Sequence, residues 1–297
     1  MRRIDASSPP SQEATGVNVT AMALSRDCSR LACGFLDGTV ELWETSPTKQ
    51  RIASYKGDRV SASMGFVPDG RLFASGSEDG TIKLWNGGDG SLHGTLKAPP
   101  GLRAVALSNS VLVAAGLDVT LWSLDTPSPI TLKKSDSAAT TVSISDESDL
   151  VAIGCDDKSV HLVDVVNHTT IATFTVHGAI YKLSFLPDKS RLVAQTNTGT
   201  FLSLDLLKKC VRGEYVLKDL IQLPDTPLWR GVPVWRCWAN EQCWIAALFS
   251  QHQTPVPVLW IPSDIRVHRW TQGSSMIALG CTDGRIMLLR LPTSHLS

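Results

Sequence analysis

Along much of the chain, short apolar runs alternate with turn-forming residues at nearly constant spacing. The clearest unit is residues 60–86, VSASMGFVPDGRLFASGSEDGTIKLWN. Phe66 closes one apolar run, Pro68-Asp69-Gly70 is a turn, and Leu72, Phe73 and Ala74 begin a second run. Asp79-Gly80 then turns the chain into Thr81-Ile82-Lys83-Leu84-Trp85. Alternation with period two predicts strands rather than helices. Glycine accepts positive φ without Cβ strain and aspartate tolerates it, so Asp79-Gly80 is read as a two-residue hairpin turn.

The unit recurs. From Asp37 to Asp79 is 42 residues, to Asp118 a further 39, to Asp157 another 39 and to Thr198 another 41; the 85 residues from Thr198 to Asp283 hold two more repeats. A period of about 40 to 45 residues, with a glycine-bearing turn before a strand ending in tryptophan, marks the blades of a β-propeller. The predicted fold is therefore all-β: a single propeller of four-stranded antiparallel blades, seven by this count, with six as the alternative. Trp43, Trp85 and Trp122 end the third strand of the first three repeats, and aliphatic residues stand there in repeats four and five, Val163 in the fourth.

These turns, tryptophans and spacings resemble the WD-repeat family over residues 19–291, most strongly in the first two repeats and least after Leu204. In that family a histidine before the first strand, a Ser or Thr in the second, the turn aspartate and the tryptophan form a buried hydrogen-bonded set. The resemblance implies blade-stabilising roles for Asp37, Trp43, Ser75, Asp79, Trp85, Trp122, His177 and Asp283. The set is partial, because Gly57-Asp58 stands where Gly-His is usual and the repeat after His177-Gly178 lacks the tryptophan.

The polar residues 1–18 include Arg2 to Ala6, read as a ring-closing strand for a final repeat that ends after its third strand. Residues 19–297 are assigned to the propeller, with an irregular arc from about 205 to 265; Pro255 and Pro257 predict an edge or incomplete strand there. Within the C-terminal part, Leu259-Trp260-Ile261-Pro262 and residues 278–286, ALGCTDGRI, resemble the WD-repeat region of fungal NACHT-type, NLR-like NTPases. That resemblance implies a sensor role. The sequence contains no GxxxxGK[ST] loop, so no NTPase activity carries over.

Composition narrows the function class. Twenty-eight basic and 28 acidic residues leave no net charge, hence no electrostatic footprint for nucleic acid or an anionic membrane. No run of about 18 apolar residues occurs, and the N-terminal arginines are not followed by an apolar leader. Seven cysteines without a CxxC pair argue against a disulfide framework or a zinc site and for a reducing, cytoplasmic setting. There is no GxSxG or HExxH motif, and the histidines are scattered. The acidic cluster Asp146, Glu147, Asp149, Asp156 and Asp157 lacks the spacing of a calcium loop. No metal or cofactor is expected.

Met22, Met64, Val105, Val142 and Leu183, on the first strands, are expected to line the channel and make it apolar, which disfavours a propeller enzyme. The reading is thus a non-catalytic, monomeric scaffold for protein partners or a sensed ligand; the alternatives are a propeller enzyme or a degenerate remnant without a ligand. If Leu24, Phe66, Leu107, Ile144 and Phe185 are equivalent, so are Thr20, Ala62, Arg103, Thr140 and Tyr181, four residues earlier. Arg103 and Tyr181, with Arg59 in the connection entering repeat two, are the candidate partner-binding residues, because Arg and Tyr are enriched at interface hot spots.

Overall fold

The computed structural model describes residues 16–46, 49–57, 59–125, 128–134, 137–185, 191–196, 201–206, 217–219, 234–239, 242–247, 256–262, 265–273 and 275–290. Every regular element among them is a strand, and the strands form seven antiparallel sheets. Blade one comprises β1 (Val19–Leu24), β2 (Arg30–Phe35), β3 (Thr39–Glu44) and β4 (Arg51–Lys56). Blade two follows with β5 (Ser61–Phe66), β6 (Leu72–Ser77), β7 (Thr81–Asn86) and β8 (Leu92–Lys97). Blade three has β9 (Ala104–Leu107), β10 (Val111–Ala115), β11 (Asp118–Ser123) and β12 (Pro129–Lys134). Blade four has β13 (Ala139–Ile144), β14 (Leu150–Cys155), β15 (Ser159–Asp164) and β16 (Thr169–Thr175). Blade five has β17 (Ile180–Phe185), β18 (Arg191–Thr196), β19 (Phe201–Asp205) and β20 (Leu217–Asp219).

The last two sheets have three strands each among the described residues: β21 (Val234–Ala239), β22 (Gln242–Ala247) and β23 (Val256–Ile261), then β24 (Val267–Gln272), β25 (Met276–Cys281) and β26 (Ile286–Arg290). Pro257 lies on β23, the terminal strand of its sheet among the described residues, beside a register shift, where proline is tolerated. The ring-closing strand expected at Arg2 to Ala6 lies outside the described residues, as do the turn residues Thr198 and Gly199.

Each sheet runs in chain order from an inner to an outer strand. The inner strands pack side by side, β24 on β1, β1 on β5, β5 on β9, β9 on β13 and β13 on β17. The core is accordingly divided among the seams between blades. Leu31, Cys33 and Phe35 face Met276, Ala278 and Ile286 of blade seven, whereas Ala32 on the other face of β2 meets Met64, Phe73 and Trp85 of blade two. With both faces buried, a second strand must be apolar almost throughout, which is why β10 and β14 read VLVAA and LVAIGC. The outer strand β16, largely exposed, has no such constraint.

The seams correct one expectation. Met64, Val105, Val142 and Leu183 do not line the channel; they are buried against neighbouring blades, and Met22 packs half-buried in the seam between blades seven and one. The parity of the inner strand is fixed by this packing. Solvent therefore reaches other positions, including Lys182 on β17 and Arg269 on β24.

Close approach at the seams requires glycine. Gly34, Gly76, Gly154 and Gly280 occupy one register position of the second strands, each paired with the third-strand residue that follows the turn aspartate by three, Val40, Ile82, Val160 and Ile286. A Cβ on Gly280 would lie 2.6 Å from Val19 Cγ1 and 2.7 Å from Met22 Sδ; one on Gly76 would lie 2.8 Å from Leu102 Cδ2 and Val105 Cγ1. Each of these glycines receives the inner strand of the following blade. Gly94, on the outer strand β8, has nothing within 4 Å of the corresponding position.

Overpacking a closed core typically costs about 1–3 kcal/mol. Gly280→Val is expected to lower the urea midpoint by an amount in that range, through the wedge it drives between β25 and β1. Gly94→Ala, in open space, is expected to leave the midpoint unchanged or raise it slightly by restricting the unfolded chain. Parallel urea titrations of the two variants check both.

Candidate functional site

The connections between second and third strands gather at one end of the blades, where the aspartates act as local clamps. Asp37, Asp79, Asp157 and Asp283 each accept a hydrogen bond from the N–H two residues on, at 2.9–3.0 Å, from Thr39, Thr81, Ser159 and Arg285. The turn differs from the two-residue form read in the sequence. Gly80 N–H donates to Ser77 O at 2.9 Å, and Gly80 alone in Glu78-Asp79-Gly80 has positive φ, at 84°. This is a three-residue loop of a type I turn closed by a left-handed glycine. Gly80 is also pinned sterically, since a Cβ there would meet Ala98 O at 2.1 Å.

The buried polar set implied by the family resemblance is divided differently in each blade. In blade two, Trp85 Nε1 donates to Ser75 Oγ at 2.9 Å, while Asp79 is occupied at the turn by both donors of Thr81. In blade one Cys33 stands where Ser75 does, and Trp43 Nε1 instead donates to Glu41 Oε2 at 2.9 Å. Glu41 is buried and also accepts from Arg51 at 2.7 Å, so its charge is compensated. Trp122 is buried in the seam with blade two. His177 lies exposed in the connection from β16 to β17 and takes part in no blade hydrogen bond among the described residues.

Blade four places Asp157, Ser159 and His161 in a row, with Ser159 Oγ 2.6 Å from Asp157 Oδ1 and 2.9 Å from His161 Nε2. The order is not that of a nucleophile relay. The hydroxyl is buried and donates to the carboxylate, and the other imidazole nitrogen faces Thr173 Oγ1 at 3.1 Å rather than an acid. Burial lowers the His161 pKa, with Lys133 adding to the effect and Asp157 opposing it. Among the described residues no group of three or more His, Cys, Asp or Glu converges to hold a metal ion.

A concavity at the turn end has a volume of about 760 Å³. Blades seven, one and two and the connection into blade three build it, with Arg269, Thr20, Leu36, Arg59, Asp79 and Arg103 among its walls. Each arginine is held by a different element. Arg59 Nε lies 3.5 Å from Asp79 Oδ2; Arg103 Nη1 reaches across to Asp156 Oδ2 of blade four at 2.6 Å; Arg269 Nε donates to Thr20 O at 2.7 Å across the seam between blades seven and one. Exposed apolar groups stand at the same end: Leu36, which lines the cavity, and Leu117 and Tyr181 outside it are each more than half exposed. A smaller cavity of about 230 Å³ lies between blades one and two, lined by Ser75, Asp79, Thr81 and Trp85, and Arg59 borders both.

Of the residues singled out in the sequence, Arg59 and Arg103 come together on one cavity. Tyr181 occupies on blade five the place of Thr20 on blade one, the extra residue at a register shift, but is not among the cavity walls. Leu36, Leu117 and Arg269 were not anticipated. The two leucines each precede a turn aspartate, a column readable from the same repeats. Arg269 was hidden because Gln272 stands on β24 where Leu24 stands on β1, which breaks the apolar column that indexed the other blades.

Comparison with known proteins agrees with this geometry. Residues 11–44 and 49–86 match the family described as WD domain, G-beta repeat. Actin-interacting protein 1 of Caenorhabditis elegans is 39% identical over 82 residues, covering 28% of this chain and 13% of that protein. The WD repeat-containing protein 91 homolog of Dictyostelium discoideum is 24% identical over 185 residues, 58% of this chain and 24% of that protein. The U3 small nucleolar RNA-associated protein 15 homolog of Xenopus laevis is 26% identical over 180 residues, 58% of this chain and 35% of that protein. In each case the match spans well under half of the relative's length. Among solved structures, the β-propeller domain of Cps50 (Swd1) from Myceliophteria thermophila superposes with a TM-score of 0.70 at 15% identity, covering 93% of this chain and 97% of that one. Two segments of the chain match WD repeats, and the whole has the fold of a WD40 β-propeller.

The clamped carboxylates give the turn end a pH signature. The Asp79 pKa lies below its ordinary 3.8 chiefly through the Thr81 N–H, and the Asp157 pKa lies below it through the Ser159 hydroxyl and then the Ser159 N–H, burial opposing both. A depressed folded-state pKa contributes stability that is complete above the unfolded value and is lost as pH falls through the folded one. The urea midpoint is expected to decline below about pH 3.8, the ordinary aspartate value. The double variant Asp79→Asn, Asp157→Asn should be less stable at neutral pH and decline less steeply in acid, which urea titrations across the acid range will measure.

Proposed function

We propose that this chain is a non-catalytic interaction scaffold that docks a protein partner on the turn end of the propeller. One observation carries the reading: exposed Leu36, Leu117 and Tyr181 share that end with Arg59 and Arg103, and Leu36, Arg59 and Arg103 line a cavity of about 760 Å³ there. Apolar area supplies affinity, and planar guanidinium groups already held by neighbouring carboxylates supply orientation at small entropy cost. WD40 propellers bind protein partners as a rule, and the WD-repeat matches support the same class of role here. In this reading the protein works as a monomer in the reducing cytoplasm, where the buried thiols Cys28, Cys33, Cys155 and Cys281 stay free. Burial raises the Cys281 pKa to about 11, consistent with an unreactive thiol. A narrower form, the sensor of an NLR-like protein, rests on the C-terminal resemblance alone.

The test starts from partners cross-linked to the folded chain and continues with affinities for each partner recovered. Arg103→Ala and Tyr181→Ala are each expected to weaken binding more than about tenfold. Neither should move the thermal midpoint, because the Arg103–Asp156 pair is exposed on both sides and contributes little to folding. Val166→Ala, on the connection between β15 and β16 at the opposite end, should change neither quantity. Unchanged affinity in both rim variants together with a loss in Val166→Ala would transfer the docking surface to that opposite end.

A further inference from the structure

The inner strands carry a sign preference that the net charge of the whole chain conceals. The register shifts on β1, β5, β13, β17 and β24 leave Thr20, Ala62, Thr140, Tyr181 and His268 without a ladder partner. Arg103 holds the same place before β9, where its N–H donates to Ala115 O at 2.8 Å. The next residue in each blade is Ala21, Ser63, Thr141, Lys182 and Arg269, with Ala104 in blade three. These two positions stand at the turn end of the inner strands; Ala21 and Thr141 are buried there, whereas Tyr181, Lys182, His268 and Arg269 are exposed. Among the described residues they hold Arg103, Lys182 and Arg269, a histidine, and no carboxylate.

Neighbouring acids cancel only part of that charge. Asp156 takes Arg103, and Asp79 takes Arg59 at 3.5 Å and Lys97 at 3.8 Å, which leaves Lys182 and Arg269 without a carboxylate among the described residues. Arg269 donates to two neutral carbonyls, Thr20 O at 2.7 Å and His268 O at 3.4 Å, and pairs with no carboxylate among the described residues. Lys182 has no hydrogen-bond or ion-pair partner among them either, although it projects from an inner strand. Solvent reaches its side chain, yet enough protein surrounds it that desolvation lowers its pKa from the ordinary lysine value. Low-dielectric walls of one sign focus the field along a channel and favour entry of the opposite charge.

We infer that the docking end of the propeller selects an extended acidic peptide segment, one of whose carboxylates enters the channel mouth toward Arg269 and Lys182 while apolar residues beside it lie on Leu36 and Val60. This rests on the scaffold reading and specifies its partner. A peptide fits better than a nucleic acid. A phosphodiester backbone would bring charge at every step against Glu78, Asp79 and Asp156 on the same rim, whereas alternating acidic and apolar side chains meet both the inner cations and the exposed Leu36, Val60 and Leu117.

The probes are three pools of short fluorescent peptides, in which apolar residues alternate with Asp/Glu, with Lys/Arg or with Ser/Asn, and a single-stranded oligonucleotide. Fluorescence polarisation on the full chain is expected to show binding of the acidic pool alone, weakening as ionic strength rises. Lys182→Gln and Arg269→Gln should each reduce that binding about tenfold or more, and Lys182→Glu should abolish it. Because Arg269 also bridges a seam, Lys182→Gln, which removes no protein contact, decides the matter if Arg269→Gln unfolds. Equal binding of the basic or neutral pool, binding of the oligonucleotide in preference to the peptides, or indifference to Lys182→Gln would overturn the inference. The scaffold reading is distinguished by the cross-linked partners: if their binding depends on Tyr181 and Arg103 but not on Lys182, the rim still docks a protein and only the acidic specificity fails.

Discussion

Close approach of one sheet to the next is the constraint on which this propeller depends, and a missing methyl group makes it possible. At Gly34, Gly76, Gly154 and Gly280 the second strand of a blade comes so near the inner end of its successor that a Cβ would lie 2.6–3.0 Å from one of the successor's side-chain atoms. The inner strands can then converge while Leu31, Phe73, Leu112 and Ile153 still fill the opposite seams. Where the position is not glycine the local solution changes. Ala115 keeps the seam small, whereas Gln195 in blade five introduces a buried amide just before the stretch in which the repeat pattern loosens.

Seam packing also determines what is left for recognition. It dictates which parity of each inner strand is buried, and so which residues reach the channel. Apolar side chains of β5, β9, β13 and β17 are consumed by the seams, leaving Ser63, Ala104 and Lys182 as neighbours of the unpaired residues. The polar character of the mouth is thus a by-product of how the blades hold together. Its cations are set there by a register shift that lets two consecutive residues oppose one, the usual effect of a bulge in redirecting side chains.

The blades were legible because their turns are governed by local chemistry. An aspartate that accepts the N–H two residues on, followed by a left-handed glycine, leaves the same mark wherever it recurs, and Asp37, Asp79 and Asp283 carry it. Blade four kept the clamp at Asp157 but put Lys158 at φ 69° in the glycine position, and the repeat was still recognisable. Outer strands were less legible: β12 and β16 face solvent over much of their length, so burial imposes little pattern on them. Of the three cavity arginines, Arg103 was found from the inner-strand column and Arg59 from the connection entering repeat two, while Arg269 was missed. The channel was misread because parity within a six-residue strand cannot be assigned until it is known which face meets a neighbour, and here both do.

The interlock between blades has a direction. Each of these glycine notches belongs to the earlier blade and admits side chains of the later one, Gly154 also meeting Thr141 of its own blade, except at the last seam, where Gly280 receives Val19 and Met22 from the beginning of the ring. A ribosome making this chain therefore presents each notch before the residues that will occupy it. Val19 is the exception: it is among the first core residues to emerge and the last to find its place. Until the final blade has been synthesised, the face of blade one that Val19 shares with Leu24, Leu31 and Cys33 is an open hydrophobic surface, the kind of transient exposure that invites aggregation during folding.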